Sequence, residues 1–129
     1  MPDTTKIRIG WAFSALFILF MLGASISPKL LGMQVAADNL VGLGWPPEYV
    51  LMIGLFELAF VLLYAIPRSS VLGAVLMTAL LGGAMATHIR IGSPLFSHTL
   101  FSIYLALFMW GGLWLRSPSL RTLLPLAKG

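Results

Sequence analysis

Four side chains able to do chemistry stand in oily surroundings. Glu57 lies inside IGLFELAFVLLYAI, His88 and Arg90 close the stretch GGAMATHIRIG, and His98 sits in SPLFSHTLF. A carboxylate and an imidazole are the usual groups for moving protons at neutral pH, and neutral imidazole also binds metals and haem iron. A guanidinium can orient a polar oxygen or reach a lipid headgroup. Glu57 is the most demanding of the four. Insertion scales charge about 2.5–3.5 kcal/mol for an ionised acid near the centre of a membrane helix, so such a group is expected to be protonated, paired or turned toward a wet cavity. Intramembrane carboxylates are seldom idle, which makes Glu57 the first candidate for proton handling or for binding a polar atom of a ligand.

The surroundings follow from composition. In 129 residues, 59% are hydrophobic and 9% charged, a balance that a soluble domain could not cover with polar surface but that lipid accepts directly. Membrane lipid is thus the first partner. The net charge of +4 does not indicate nucleic acid, because the Lys and Arg residues flank apolar runs and form no stripe. There is no cysteine, which excludes thiol redox chemistry and thiolate metal sites within the chain. No Walker, dinucleotide, HExxH or nucleophile-elbow motif is present.

Apolar segments at about 9–27, 47–66, 70–91 and 95–115 each approach the roughly 20 residues needed to cross a bilayer. The expected fold is an all-α membrane protein: one antiparallel bundle of four transmembrane helices spanning residues 1–129 as a single domain. The basic, oily N-terminus resembles a signal peptide, but its apolar run exceeds the roughly 7–15 residues of a signal core, so it reads as a retained first helix. The turns IPRSS and GSP make tight hairpins between the second, third and fourth crossings. The longer connection between the first and second holds Lys29, Gln34, Asp38 and Asn39, with a short extracytoplasmic helix expected near residues 30–40, at the interface or over the bundle's mouth.

An even number of crossings places both termini on one side. Lys6, Arg8, Arg68, Arg116, Arg121 and Lys128 fall there, against Lys29 and Arg90 opposite. By the positive-inside rule both termini are cytoplasmic. Trp110 and Trp114 then lie toward that side, and Trp45 toward the other, as interfacial aromatics do.

The hairpins also set depth. They bring Glu57 to the level of Thr78 and Ala79, Glu48 to that of His88, and His88 to that of His98. His88 then stands roughly 15 Å from Glu57's level by helix rise, beyond a direct bond, so Thr78, Tyr104 or water must serve the carboxylate. His88, His98, Arg90, Glu48 and Gln34 or Asp38 could line a polar vestibule with Glu57 and Tyr104 as its floor. Val50, Gly54, Glu57, Val61 and Tyr64 share one helical face, Gly54 leaving room above the acid. Gly73, Ala74, Gly82, Gly83, Ala84 and Ala86 make the third helix a close-packing one, around which the bundle is expected to assemble. Phe96, Phe101, Tyr104 and Phe108, with seven methionines elsewhere, could enclose a flat lipophilic ring. The histidine pair is a weak candidate for haem, and no metal site is expected.

The run from Ile53 to Gly92, with Glu57, Pro67, Arg68, Gly73, Ala74, Gly83, Ala84 and His88, followed by LWLRSPSLRTLLPL, resembles the DoxX-like family of small four-helix membrane proteins over about residues 9–125. The resemblance implies a four-helix bundle in a bacterial cytoplasmic membrane. It also implies association with thiosulfate:quinone oxidoreductase chemistry or with membrane complexes of oxidative-stress defence. Glu57 and His88 fit the family pattern. Without cysteine, this chain cannot relay sulfur through its own thiols.

These observations favour an outward-facing pocket for a lipophilic, redox-active molecule such as a quinone, in a subunit or accessory of an oxidoreductase, with Glu57 and His88 as the chemical groups and Glu48, Arg90, His98, Tyr104, Thr78 and Gln34 around the ligand. Two other readings stand beside it. One is an autonomous membrane enzyme doing acid–base chemistry (isomerisation, hydrolysis or cyclisation) on a hydrophobic substrate. The other is a non-catalytic partner or a transporter, the latter requiring a homo-oligomer because four helices leave little room for a path.

Overall fold

A computed structural model describes residues 2–127; Lys128, counted above among the basic residues near the termini, lies outside them. Helix α1 (Asp3–Phe20) continues through a π-helical stretch (Met21–Ile26) into α2 (Ser27–Leu30). The connection carries α3 (Gln34–Gly42) and a single turn at Pro47–Tyr49, which leads into α4 (Val50–Ala65). Helix α5 (Ser70–Ile91) follows, then a π-helical turn (Leu95–Thr99), α6 (Phe101–Arg116) and the short α7 (Pro118–Arg121). Four helical spans, Asp3–Leu30, Pro47–Ala65, Pro67–Ile91 and Leu95–Arg116, are long and apolar enough to cross a membrane. The described residues hold no strand.

The first span runs 28 residues to Leu30, past the end expected at residue 27. Pro28 lacks an N–H and would normally stop a helix. Here the wider π turns lie directly before it, a place where the α-helical ladder is already interrupted and the missing donor matters least. Lys29 consequently belongs to a membrane-spanning helix, not to the connection.

The helices pack as neighbours in the order α1, α6, α5, α4, with the π stretch and α2 closing back on α4. Helix α5 packs on α4 and α6 but not on α1, so the bundle does not assemble around it as expected. The α4 face Val50, Gly54, Glu57, Val61 and Tyr64 is the buried one. Phe17, Met21, Met77, Met109 and Leu113 join Val61 and Tyr64 in the core. Outward leucines such as Leu16, Leu19, Leu62, Leu72 and Leu107 are more than half exposed, a surface that water would penalise and lipid tails would not.

One end of the bundle is clamped where the termini meet. Arg121 bonds Asp3 at 3.1 Å. Arg116, counted above only for its charge, is buried with its guanidinium 4.0 Å over the Trp11 ring and donates to the Tyr64 carbonyl at 2.9 Å. The Tyr64 hydroxyl donates to the Met109 carbonyl at 2.6 Å and accepts from Ser14 at 2.9 Å. A carbonyl already at a helix end and a cation over aromatic faces replace the water that hydrocarbon withholds. Close backbone approach does the rest: a Cβ on Gly112 would lie 2.8 Å from the Ser14 nitrogen, and one on Gly73 would lie 2.8 Å from the Phe60 carbonyl.

Gly82 faces open space, with nothing within 4 Å of a built Cβ. Gly73→Ala should therefore cost about 1–3 kcal/mol of overpacking and lower the thermal unfolding midpoint in detergent, while Gly82→Ala should leave it unchanged or slightly raised. Equal effects of the two substitutions would contradict this account of the α4–α5 contact.

Candidate functional site

The polar groups at the other end of the bundle come from all four spans. Glu57 is buried on α4 and forms an ion pair with Lys29, Nζ to Oε1 3.0 Å and to Oε2 3.4 Å. Ser25 donates to Glu57 Oε2 at 2.8 Å, and Lys29 donates to Ser25 Oγ at 2.7 Å and to the Ser25 carbonyl at 3.2 Å. Lysine, serine and carboxylate thus close a ring of hydrogen bonds.

The ring forms because Ser25 and Lys29 are four residues apart on one helical face, and because α2 can reach α4. Gly54 permits that reach: a Cβ there would lie 2.8 Å from Lys29 Cβ and 3.2 Å from Leu30 Cδ2. The space expected above the carboxylate is therefore filled by α2. The partners expected for Glu57 are corrected in the same way. Thr78 donates to the Ala74 carbonyl and accepts from Trp110 Nε1, both at 2.7 Å. It faces outward, and its neighbour Ala79 takes the inward position. Tyr104 is exposed and donates to the Phe96 carbonyl at 2.9 Å.

A cavity of about 670 Å³ extends from this ring toward the loops. Glu57, Lys29 and Ser25 lie at its deep end, and His88 and His98 also line it. The histidine rings meet edge to face with centroids 5.9 Å apart, at the common level set by the α5–α6 hairpin. His88 Nδ1 pairs with Ser93 Oγ at 2.8 Å and His98 Nδ1 with Ser97 Oγ at 2.7 Å. Each ring keeps its Nε2 for other partners.

Between the two polar zones the wall is apolar, including Phe20, Phe56, Leu80, Phe101 and Leu105. Of the four aromatics expected from sequence to enclose a ring, only Phe101 faces this space. Phe96 is 74% exposed and Phe108 packs edge-on against Phe13. Gly83 and Ala84 border the cavity, so the small residues of α5 divide: Gly73 and Ala74 close the packing at one end, and Gly83 and Ala84 leave room at the other. The segment after α3 closes over the mouth through Leu43, Trp45 and Tyr49, with Trp45 Nε1 3.4 Å from Thr87 Oγ1.

Three residues assigned to the vestibule lie outside it. Glu48 is exposed in the single turn before α4 and does not border the cavity. Gln34 is exposed and donates to Asp38 at 2.8 Å along α3. Arg90 is exposed beside Gly44, whose φ of +88° bends the connection toward it. Glu48 and Arg90, at the end of the bundle where the sequence placed them, are exposed and off the cavity lining, and Gln34 stays on α3 in the connection. Sequence reasoning missed Ser25 and Lys29; their spacing was visible, but placing Lys29 in a loop removed it from consideration. No group of three or more His, Asp or Glu side chains that could hold a metal occurs among the described residues.

Residues 12–112 match the family model described as the DoxX-like family. No curated protein and no solved structure matches the chain.

The ion pair makes a specific demand. Removing one member of a buried pair typically costs about 3–5 kcal/mol, whereas replacing both with apolar groups is often neutral. Lys29→Met should lower stability by about 3 kcal/mol, and Lys29→Met combined with Glu57→Leu should recover most of it, read as a double-mutant cycle of unfolding in detergent. Additive losses would mean that the two side chains are not coupled.

Proposed function

We propose, for a membrane protein that belongs to the DoxX-like family, that the cavity between Glu57 and His88 binds a lipophilic, redox-active small molecule of the quinone type. The protein would serve as a subunit or accessory of an oxidoreductase. The observation that carries this reading is an apolar chamber of about 670 Å³ with an ion pair at its deep end and two imidazoles near its mouth. Ligand sites commonly fall between about 300 and 1,000 Å³, with mostly apolar walls and a few placed polar groups.

The residues present suit such a ring. Phe20, Phe56 and Phe101 supply aromatic walls, and exposed leucines outside place the chamber within reach of molecules dissolved in lipid. When bound, a quinone supplies two-electron, two-proton chemistry, its electrons exchanged with a partner subunit. Glu57 can take or return a proton at a carboxylate oxygen at the deep end, and the Nε2 atoms of His88 and His98 can do the same near the mouth. In this reading the termini are cytoplasmic, the cavity faces outward, and the membrane is the bacterial cytoplasmic one.

Protein purified from native membrane should carry a quinone-type lipid detectable by extraction and mass spectrometry. Gly83 borders the cavity with open space at its Cβ position. Gly83→Phe should therefore reduce the retained quinone at least about tenfold, the scale of losing one well-fitted apolar contact, with unfolding temperature unchanged. Recovery of phospholipid alone, or equal quinone in the filled variant, would refute the proposed site.

A further inference from the structure

The hydrogen-bond inventory of the deep ring selects the chemical state of its ligand. A lysine ammonium has three protons and no acceptor; a serine hydroxyl has one proton; an ionised carboxylate only accepts. Lys29 directs its protons to the Ser25 carbonyl at 3.2 Å, Ser25 Oγ at 2.7 Å and Glu57 Oε2 at 3.4 Å, with Oε1 in ion-pair contact at 3.0 Å. Ser25 gives its proton to Glu57 Oε2 at 2.8 Å. Every donor in the ring is then committed, while each Glu57 oxygen retains acceptor capacity. The carboxylate borders the cavity, so the deep end presents unused lone pairs and no unused proton.

We infer that the Glu57–Lys29–Ser25 ring recognises a ligand through a donated O–H or N–H, and so favours the reduced hydroquinone, or a phenol or alcohol of similar shape, over the corresponding quinone. This rests on the ligand class assigned above. A quinone carbonyl brings only lone pairs toward lone pairs, and its entry would leave an acceptor unpaired in an apolar chamber. A hydroquinone hydroxyl completes the carboxylate's shell instead. Buried Ser102 also borders the cavity, about five residues, or roughly 7 Å of helix rise, nearer the mouth than Glu57. The Ser102 hydroxyl can donate or accept, so discrimination falls to the ring at Glu57.

The test uses the full chain in nanodiscs and isothermal titration, with empty nanodiscs subtracted. The probes are a short-chain alkyl 1,4-benzoquinone, its hydroquinone kept reduced under anaerobic conditions, and that hydroquinone's dimethyl ether. The hydroquinone should bind at least about tenfold more tightly than the other two, a conservative fraction of the discrimination seen where a site is built to pair a substrate hydroxyl. Glu57→Gln, which offers an amide donor, should abolish the preference. Ser25→Ala, which frees a lysine proton, should raise quinone affinity and guards against failure of the first variant to fold. If the three probes bind equally, if the quinone binds more tightly, or if the preference survives both substitutions, the inference is overturned while the site stands. If none binds, both fall.

Discussion

Hydrocarbon offers no water to a polar group, and the organisation of this bundle follows from that shortage. Glu57 sits inside a membrane-spanning helix and is met by an ammonium and a hydroxyl from the end of the first span. Satisfying it requires α2 to lie against α4, which requires Gly54 to be small, and requires the first helix to continue beyond Pro28, where the π-helical turns lie. A carboxylate on one helix thus dictates the length and register of another.

The two ends of the bundle solve the same problem differently. Near the termini, Gly112 and Gly73 let backbones touch, and Arg116 is absorbed between aromatic rings and the Tyr64 carbonyl. Near the loops, Gly83 and Ala84 meet no opposing backbone, and the polar groups cluster into a ring and a histidine pair with apolar wall between them. The cavity is what remains when helices clamped at one end are held to specific polar partners at the other.

Much of this was legible in the residues. Helix number, the tight hairpins, the buried face from Val50 to Tyr64 and the common level of the histidines follow from apolar run length, turn chemistry and rise per residue. What the pattern could not supply was rotation about the helix axis. A one-residue error turns a side chain by about 100°, so Thr78 faces out and Ala79 in, although both stand at Glu57's depth. Tyr104, Glu48 and Arg90 were placed at suitable heights on unsuitable sides for the same reason. The loss of Lys29 had another origin: proline is a sound stop signal in an α-helix, and a π turn that accommodates it leaves no strong mark in the sequence. Arg116 was read by charge alone, because its partners are two aromatics and a carbonyl on distant segments.

A buried ion pair is also a poor way to hold two helices together. Two apolar side chains of similar volume would generally do as well or better, because desolvating both charges consumes most of their attraction. In a chain whose helices already associate through glycine contacts and a wide apolar core, cohesion therefore does not explain Lys29 and Glu57. Their position does suggest a reason. All three ring residues border the cavity, and Lys29 and Ser25 already direct their protons into the ring, so the one neighbour not yet fixed by the fold is whatever occupies that space. Apolar replacements could preserve the bundle, but they would leave the chamber's deep end with nothing to distinguish a hydroxyl from a methyl group. That difference is the argument for reading the pair as part of a binding site.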